Sequence, residues 1–210
     1  MVRYNLYLAA DQDLAGNRQI ERIVEGAVAG GVTVVQLRAK KAGARDIMAL
    51  ANRMHPITKK AGVPLIVNDR IDIALAIDAE GAHVGQSDLP AALARKILGP
   101  RKILGVSVKT VSDALRAQKD GADYLGVGDI FGTRSKKDAG KPIGLEAIRR
   151  IARRVRIPVI GIGGISAENA YQVIEAGADG IAVISALVLA PNPAIAAQEL
   201  RAIIDASLRK

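Results

Sequence analysis

Three polar side chains two residues apart, Gln36, Arg38 and Lys40, alternate with Val35, Leu37 and Ala39. In an extended chain that spacing places all three on one face. Two cations and an amide converging on one face are costly to desolvate unless an anion completes them, which points to phosphate. A strand running out into a solvated loop would show the same alternation. Asn68-Asp69-Arg70 follows the β-rich Leu65-Ile66-Val67, and Gln86-Ser87-Asp88 follows Ala82-His83-Val84. Carboxylates at neighbouring strand ends suit a hard cation, because Mg²⁺ takes one or two protein carboxylates and fills its octahedron with water and substrate phosphates. Asp69 and Asp88 would serve equally well as helix N-caps, Asp88 especially so ahead of Leu89-Pro90. Ser107, in Gly105-Val106-Ser107-Val108-Lys109, either donates to a ligand oxygen or caps the next helix.

Two further stretches carry anion-binding chemistry. Gly128 to Asp138 is long for a β/α connection and sets the hydroxyls of Thr133 and Ser135 among Arg134, Lys136 and Lys137. That composition suits a lid over an anion, or a solvated turn. Gly161-Ile162-Gly163-Gly164-Ile165-Ser166 and Ile184-Ser185-Ala186 pair close backbone approach with helix-starting N–H groups, a cradle for a monophosphate. His55 and His83 read as structural, and no Ser/His/Asp or Cys/His constellation is present.

The elements that must position these residues are short and regular. Eight β-rich runs, Leu6-Tyr7-Leu8, Val32 to Leu37, Leu65-Ile66-Val67, Ala82-His83-Val84, Ile103 to Val106, Tyr124 to Val127, Val159-Ile160 and Ile181-Ala182-Val183, alternate with apolar residues at helical spacing. Crossover helices imply parallel strands. Gly31-Val32, Gly81-Ala82, Gly121-Ala122 and Gly177-Ala178 recur as helix-closing, strand-opening pairs, and Val63-Pro64 and Ile157-Pro158 lead into the third and seventh strands. Repetition by quarters favours a closed barrel, whereas an open doubly wound sheet needs a switch point that the spacing lacks. The expectation is one (β/α)8 TIM barrel over residues 1–210, with phosphate-binding loops at the carboxyl ends of its strands.

Composition narrows the function classes. A chain of 210 residues, half of them hydrophobic, supports one full core. With Cys 0, disulfides and thiolate metal sites are excluded. No apolar run approaches bilayer length and the start lacks a signal-peptide layout, so a cytoplasmic protein with no membrane partner is expected. The net charge of +9 suits an anionic partner, yet aromatic residues make up only 2%, too few to stack single-stranded bases. Phosphorylated small molecules are therefore expected over nucleic acid, and a homo-oligomer is compatible with the sequence.

Taken in order, Leu6-Tyr7-Leu8, Val35-Gln36-Leu37-Arg38-Ala39-Lys40, Asn68-Asp69-Arg70, His83-Val84-Gly85-Gln86-Ser87-Asp88-Leu89-Pro90, Tyr124-Leu125-Gly126-Val127-Gly128, Thr133-Arg134-Ser135-Lys136-Lys137-Asp138 and Gly163-Gly164-Ile165 resemble the thiamine-phosphate synthase family over nearly the whole chain. The resemblance implies transfer of a hydroxymethylpyrimidine group from its diphosphate to the ring nitrogen of a thiazole phosphate, with diphosphate released. It also implies that Gln36, Arg38, Lys40, Asn68, Ser107 and Lys136 contact the pyrimidine diphosphate, with Arg38, Lys40, Ser107 and Lys136 the catalytic set. Asp69 and Asp88 would hold Mg²⁺, and Thr133, Arg134, Ser135, Gly164, Ile184 and Ser185 would meet the thiazole phosphate. Ala39 departs from the acidic residue common in the family, but parity turns it away from the mouth. Asp129 and Gly132 stand where prolines are frequent, and Ser135 where Thr is usual. The alternatives are a thiazole tautomerase-like paralogue or another phosphate-binding barrel enzyme. The tautomerases commonly carry His where this chain has Lys109, which favours the synthase.

Overall fold

The computed structural model describes residues 2–133 and 141–209. Its strands are β1 (Leu6–Asp11), β2 (Val34–Arg38), β3 (Leu65–Asn68), β4 (Gly81–Val84), β5 (Ile103–Val108), β6 (Tyr124–Val127), β7 (Val159–Ile162) and β8 (Gly180–Val183). All neighbours pair in parallel in sequence order, and β8 returns to β1, so the sheet closes as a (β/α)8 barrel. The helices are α1 (Gln12–Ala15), α2 (Ile20–Ala29), α3 (Ala44–Lys60), α4 (Ile71–Ala76), α5 (Ala91–Leu98), α6 (Val111–Lys119), α7 (Gly144–Ala152), α8 (Ala170–Glu175), α9 (Ser185–Val188) and α10 (Pro193–Leu208). Among the described residues no helix is long and apolar enough to cross a membrane.

Two separate cores follow from the alternation of side chains along each strand. Outward-facing Leu8, Leu37, Val67, Leu104, Leu125 and Val183 pack under the helices with Ile23, Leu50, Ile148 and Leu200. Inward-facing Tyr7, Val34, Ile66, Tyr124, Ile160 and Ala182 form a small second cluster with Tyr4, which plugs the amino end of the barrel. The Tyr4 and Tyr124 rings lie with centroids 4.8 Å apart, within the range of favourable aromatic contact. The plug confines the open space inside the barrel to its carboxyl end.

The repeat by quarters is present, with one correction. Gly31, Gly121 and Gly177 each close a helix in a left-handed conformation (φ 103°, 92° and 103°). The N–H of the next residue reaches back to close a Schellman turn: Val32 to Ala27 O, Ala122 to Ala117 O and Ala178 to Val173 O. In the remaining quarter the counterpart is Asp78 (φ 54°), with Ala79 donating to Ala74 O, so the unit is Asp78-Ala79-Glu80. Gly81-Ala82 lies inside β4 instead. Gly81 serves packing there, since a Cβ would sit 2.1 Å from Ile103 O. Asp can occupy the left-handed region where most residues cannot, which is why a glycine search misses this quarter.

Each repeat ends in an acceptor that stitches the strands together from below. Thr33 Oγ1 accepts from Leu6 N–H, a Glu80 carboxylate oxygen from Leu65 N–H, an Asp123 carboxylate oxygen from Leu104 N–H and an Asp179 carboxylate oxygen from Val159 N–H. An N–H at or next to the start of every odd strand is thereby satisfied by the residue that leads into the following even strand.

Candidate functional site

The carboxyl ends of the strands surround a cavity of about 310 Å³. β2 delivers Gln36, Arg38 and the following Lys40 to its wall, as their shared parity requires. β1 runs three residues beyond the run expected from sequence and brings Asp11 level with Arg38. Arg38 Nη1 donates to Asp11 Oδ2 at 2.5 Å with both side chains buried. The facing carboxylate offsets the cost of taking the guanidinium charge out of water. Arg38 therefore reaches the cavity as a fixed, half-neutralised fork, whereas the ammonium of Lys40 is 40% exposed and lies 3.7 Å from Asp69.

Asp69 and Asp88 come together on the adjoining part of the same rim, after β3 and β4, and neither caps a helix. Asp69 has φ 62°, and α4 begins after Arg70 with no side-chain cap. Asp88 accepts from Gly85 N–H at 2.7 Å, while α5 starts behind Pro90 without a side-chain cap. The Asp69 carboxyl is pushed up to about 6, first by burial and then by its hydrogen bond and charge repulsion with Asp88; Lys40 and Arg38 pull it the other way. Two acids crowded until one holds its proton this high form a donor set that fits a divalent cation, which would relieve the repulsion. Among the described residues no group of three or more His, Cys, Asp or Glu could hold a metal ion, so water and substrate oxygens would supply the other donors.

Asn68 and Ser107 line the same cavity, as do Thr133, Gly164, Ile184 and Ser185 on the far side. Asp129 shapes the start of the loop after β6, accepting from Gly132 N–H at 3.2 Å and Thr133 N–H at 2.7 Å. The loop then lies against the end of β7, where Phe131 N–H donates to Gly163 O at 3.1 Å. Only glycines fit this contact: a Cβ on Gly163 would be 1.9 Å from Asp129 Oδ1, and one on Gly164 would be 2.4 Å from Gly132 O. Ser185 opens α9, whereas the turn after Gly164 is closed by Asn169, whose Nδ2 donates to Gly164 O at 3.0 Å. Arg134, Ser135 and Lys136 lie outside the described residues.

Several wall residues are not singled out by the sequence reasoning. Tyr7, His83, Tyr124, Asp11 and Asp129 are buried, and all but Asp11 line the cavity. Strand parity was the available signal, since His83 faces inward on β4 as Gln36 does on β2.

The model of the family described as thiamine monophosphate synthase matches residues 6–187. The chain is 55% identical over 203 residues to the thiamine-phosphate synthase of Roseiflexus sp. (strain RS-1), covering 97% of this chain and 86% of that protein. It belongs to the thiamine-phosphate synthase family. The thiamine-phosphate synthase of Moorella thermoacetica is 53% identical, with 97% of both chains covered. The solved structure of thiamine phosphate pyrophosphorylase from Pyrococcus furiosus superposes with a TM-score of 0.90 at 40% identity, covering 99% of this chain and 98% of that one. A synthase of this family is a transferase acting on phosphorylated small molecules, and the cavity opens where a (β/α)8 barrel carries such chemistry.

Proposed function

We propose that the chain forms thiamine phosphate by breaking the carbon–oxygen bond of 4-amino-2-methyl-5-(diphosphooxymethyl)pyrimidine before the thiazole nitrogen attacks. The bonding electrons leave on diphosphate, and the thiazole ring nitrogen then donates its lone pair to the pyrimidine-stabilised methylene cation. No general base or protein nucleophile is needed. The observation that carries this reading is the division of one cavity into a charged rim, with Arg38, Lys40, Asp69 and Asp88, and a glycine- and serine-lined rim at Gly164 and Ser185.

On the charged rim Arg38, Lys40, Asn68 and Ser107 bind the diphosphate and, together with Lys136, stabilise charge as it develops on the leaving oxygen. Gln36 stands below them, toward the pyrimidine. Mg²⁺, held by Asp69 and Asp88, would supply Lewis-acid stabilisation of the departing diphosphate. Thr133, Arg134, Ser135, Gly164, Ile184 and Ser185 hold the thiazole phosphate and present its nitrogen to the cation. Ion-pairing with Asp11 keeps the Arg38 fork from rotating, so its remaining donors stay aimed without reorganising during the reaction.

Incubation with both phosphorylated precursors and Mg²⁺ tests the reading: thiamine phosphate and diphosphate accumulate in equal amounts. Lys136→Ala lowers kcat on the order of 100-fold while the fold persists. Diphosphate release that needs no thiazole phosphate and yields no thiamine phosphate would overturn the coupling of the two half-sites.

A further inference from the structure

Below the charged rim, a chain of side-chain hydrogen bonds crosses five strands. Gln36 Nε2 on β2 donates to the Tyr7 hydroxyl on β1 at 2.9 Å, and the Tyr7 and Tyr124 hydroxyls are 2.8 Å apart. The Tyr124 hydroxyl on β6 lies 2.9 Å from His83 Nδ1 on β4, and His83 Nε2 lies 2.8 Å from Ser107 Oγ on β5. Two glycines clear the path. A Cβ on Gly105, between His83 and Tyr124 in the barrel wall, would lie 2.3 Å from the Tyr124 hydroxyl oxygen and 2.4 Å from His83 Nδ1. A Cβ on Gly126 would lie 3.2 Å from His83 Cε1.

Counting hydrogens gives the chain a direction. The Gln36 nitrogen can only donate, so the Tyr7 oxygen accepts. Its own single hydrogen has no acceptor but Tyr124 among the described residues, and buried as it is it passes there rather than stay unpaired. Tyr124 then gives its own hydrogen to His83 Nδ1. Burial raises both phenols far above their ordinary range, so each keeps the one hydrogen this count requires. A neutral imidazole that accepts at Nδ1 carries its hydrogen at Nε2 and donates to Ser107 Oγ. Ser107 borders the cavity and, accepting from His83, keeps its own hydrogen to give.

We propose that His83 is a positioning residue: Gln36, Tyr7 and Tyr124 lock its Nε2–H tautomer, which makes the Ser107 hydroxyl an obligate hydrogen donor toward the anion in the cavity. Run in the opposite sense, the chain would take the Ser107 hydrogen onto His83 and turn only lone pairs toward a diphosphate, which would repel it. The proposal rests on the reading that Ser107 faces the diphosphate.

Long-range proton–nitrogen correlation spectra of the ligand-free wild type read the tautomer directly. The chain has only two histidines, and His55→Gln assigns the other ring. Hydrogen at Nε2 with a bare Nδ1, at mildly alkaline pH where imidazole is neutral, is the expected result; hydrogen at Nδ1 overturns the chain's direction. Tyr124→Phe, which removes the link, should let the Nδ1–H form appear. Kinetics test the consequence. Ser107→Ala lowers kcat on the order of 100-fold. His83→Asn keeps an acceptor for Tyr124 but falls short of Ser107, and lowers kcat about tenfold with little change in KM. His83→Gln, whose amide reaches further, recovers part of that loss. In the Ser107→Ala background His83→Asn costs nothing more, and additive losses would overturn the positioning role. Wild-type kcat in Ser107→Ala would instead remove the contact between Ser107 and diphosphate, and with it the functional half of the proposal, a failure separate from the spectrum.

Discussion

Asp69 is the residue whose ionisation ties the site to pH. Its carboxyl is raised from 3.8 to about 6, so between those values the folded protein holds a proton that the unfolded chain has lost. Stability contributed by that proton is fully present below pH 3.8 and is lost as pH rises through about 6. Without metal, the wild type should therefore lose thermal stability across this window, and Asp69→Asn should not, as melting curves at several pH values would show. In the proposed role activity runs the opposite way, because Asp69 must be ionised to hold Mg²⁺. At limiting Mg²⁺, kcat/KM should rise as pH passes about 6, and Asp69→Asn should lower it on the order of 100-fold at every pH. Equal melting profiles for the two proteins would contradict the crowding of Asp69 against Asp88.

At the scale of elements, the underside of the barrel bears stability without touching the chemistry. Asp123 accepts from Leu104 N–H and pairs with Arg95, so Asp123→Ala leaves a backbone donor at a strand start unsatisfied. The expected cost is about 1–3 kcal/mol in denaturant unfolding, with kcat unchanged while the protein is folded. Gly177→Ala forces a Cβ into a left-handed turn (φ 103°) and should cost about 1–2 kcal/mol, again without loss of kcat. A fall in kcat for either variant would mean that the strand bottoms communicate with the mouth. The number and order of strands were legible because each apolar run is short and bounded by turn residues. Asp78 was not, because its left-handed conformation shows only in the backbone. Nor was the reach of β1 to Asp11, since a lone acid after Ala9-Ala10 looks like the start of a loop.

Across the whole molecule, the excess of positive charge is spread over helix faces and gathers no aromatic platform. With a net charge of +9, long-range attraction should speed the approach of both phosphorylated substrates. Raising ionic strength from low to physiological should increase KM for each substrate several-fold and leave kcat nearly unchanged, since pairs such as Arg38 with Asp11 are shielded from screening by burial. A kcat that falls in parallel with salt would place the screened charges inside the reaction step. Side-chain parity and the repeat settled in one dimension that the chain is a barrel and which strand ends carry cations, carboxylates and glycines, because those signals depend only on neighbours along the chain. Which partners those groups meet was decided by closure of the sheet. Arg38 finds Asp11, Asp69 finds Asp88, and His83 joins Tyr124 to Ser107 from different strands, contacts that no spacing in the sequence encodes because they are set by barrel register.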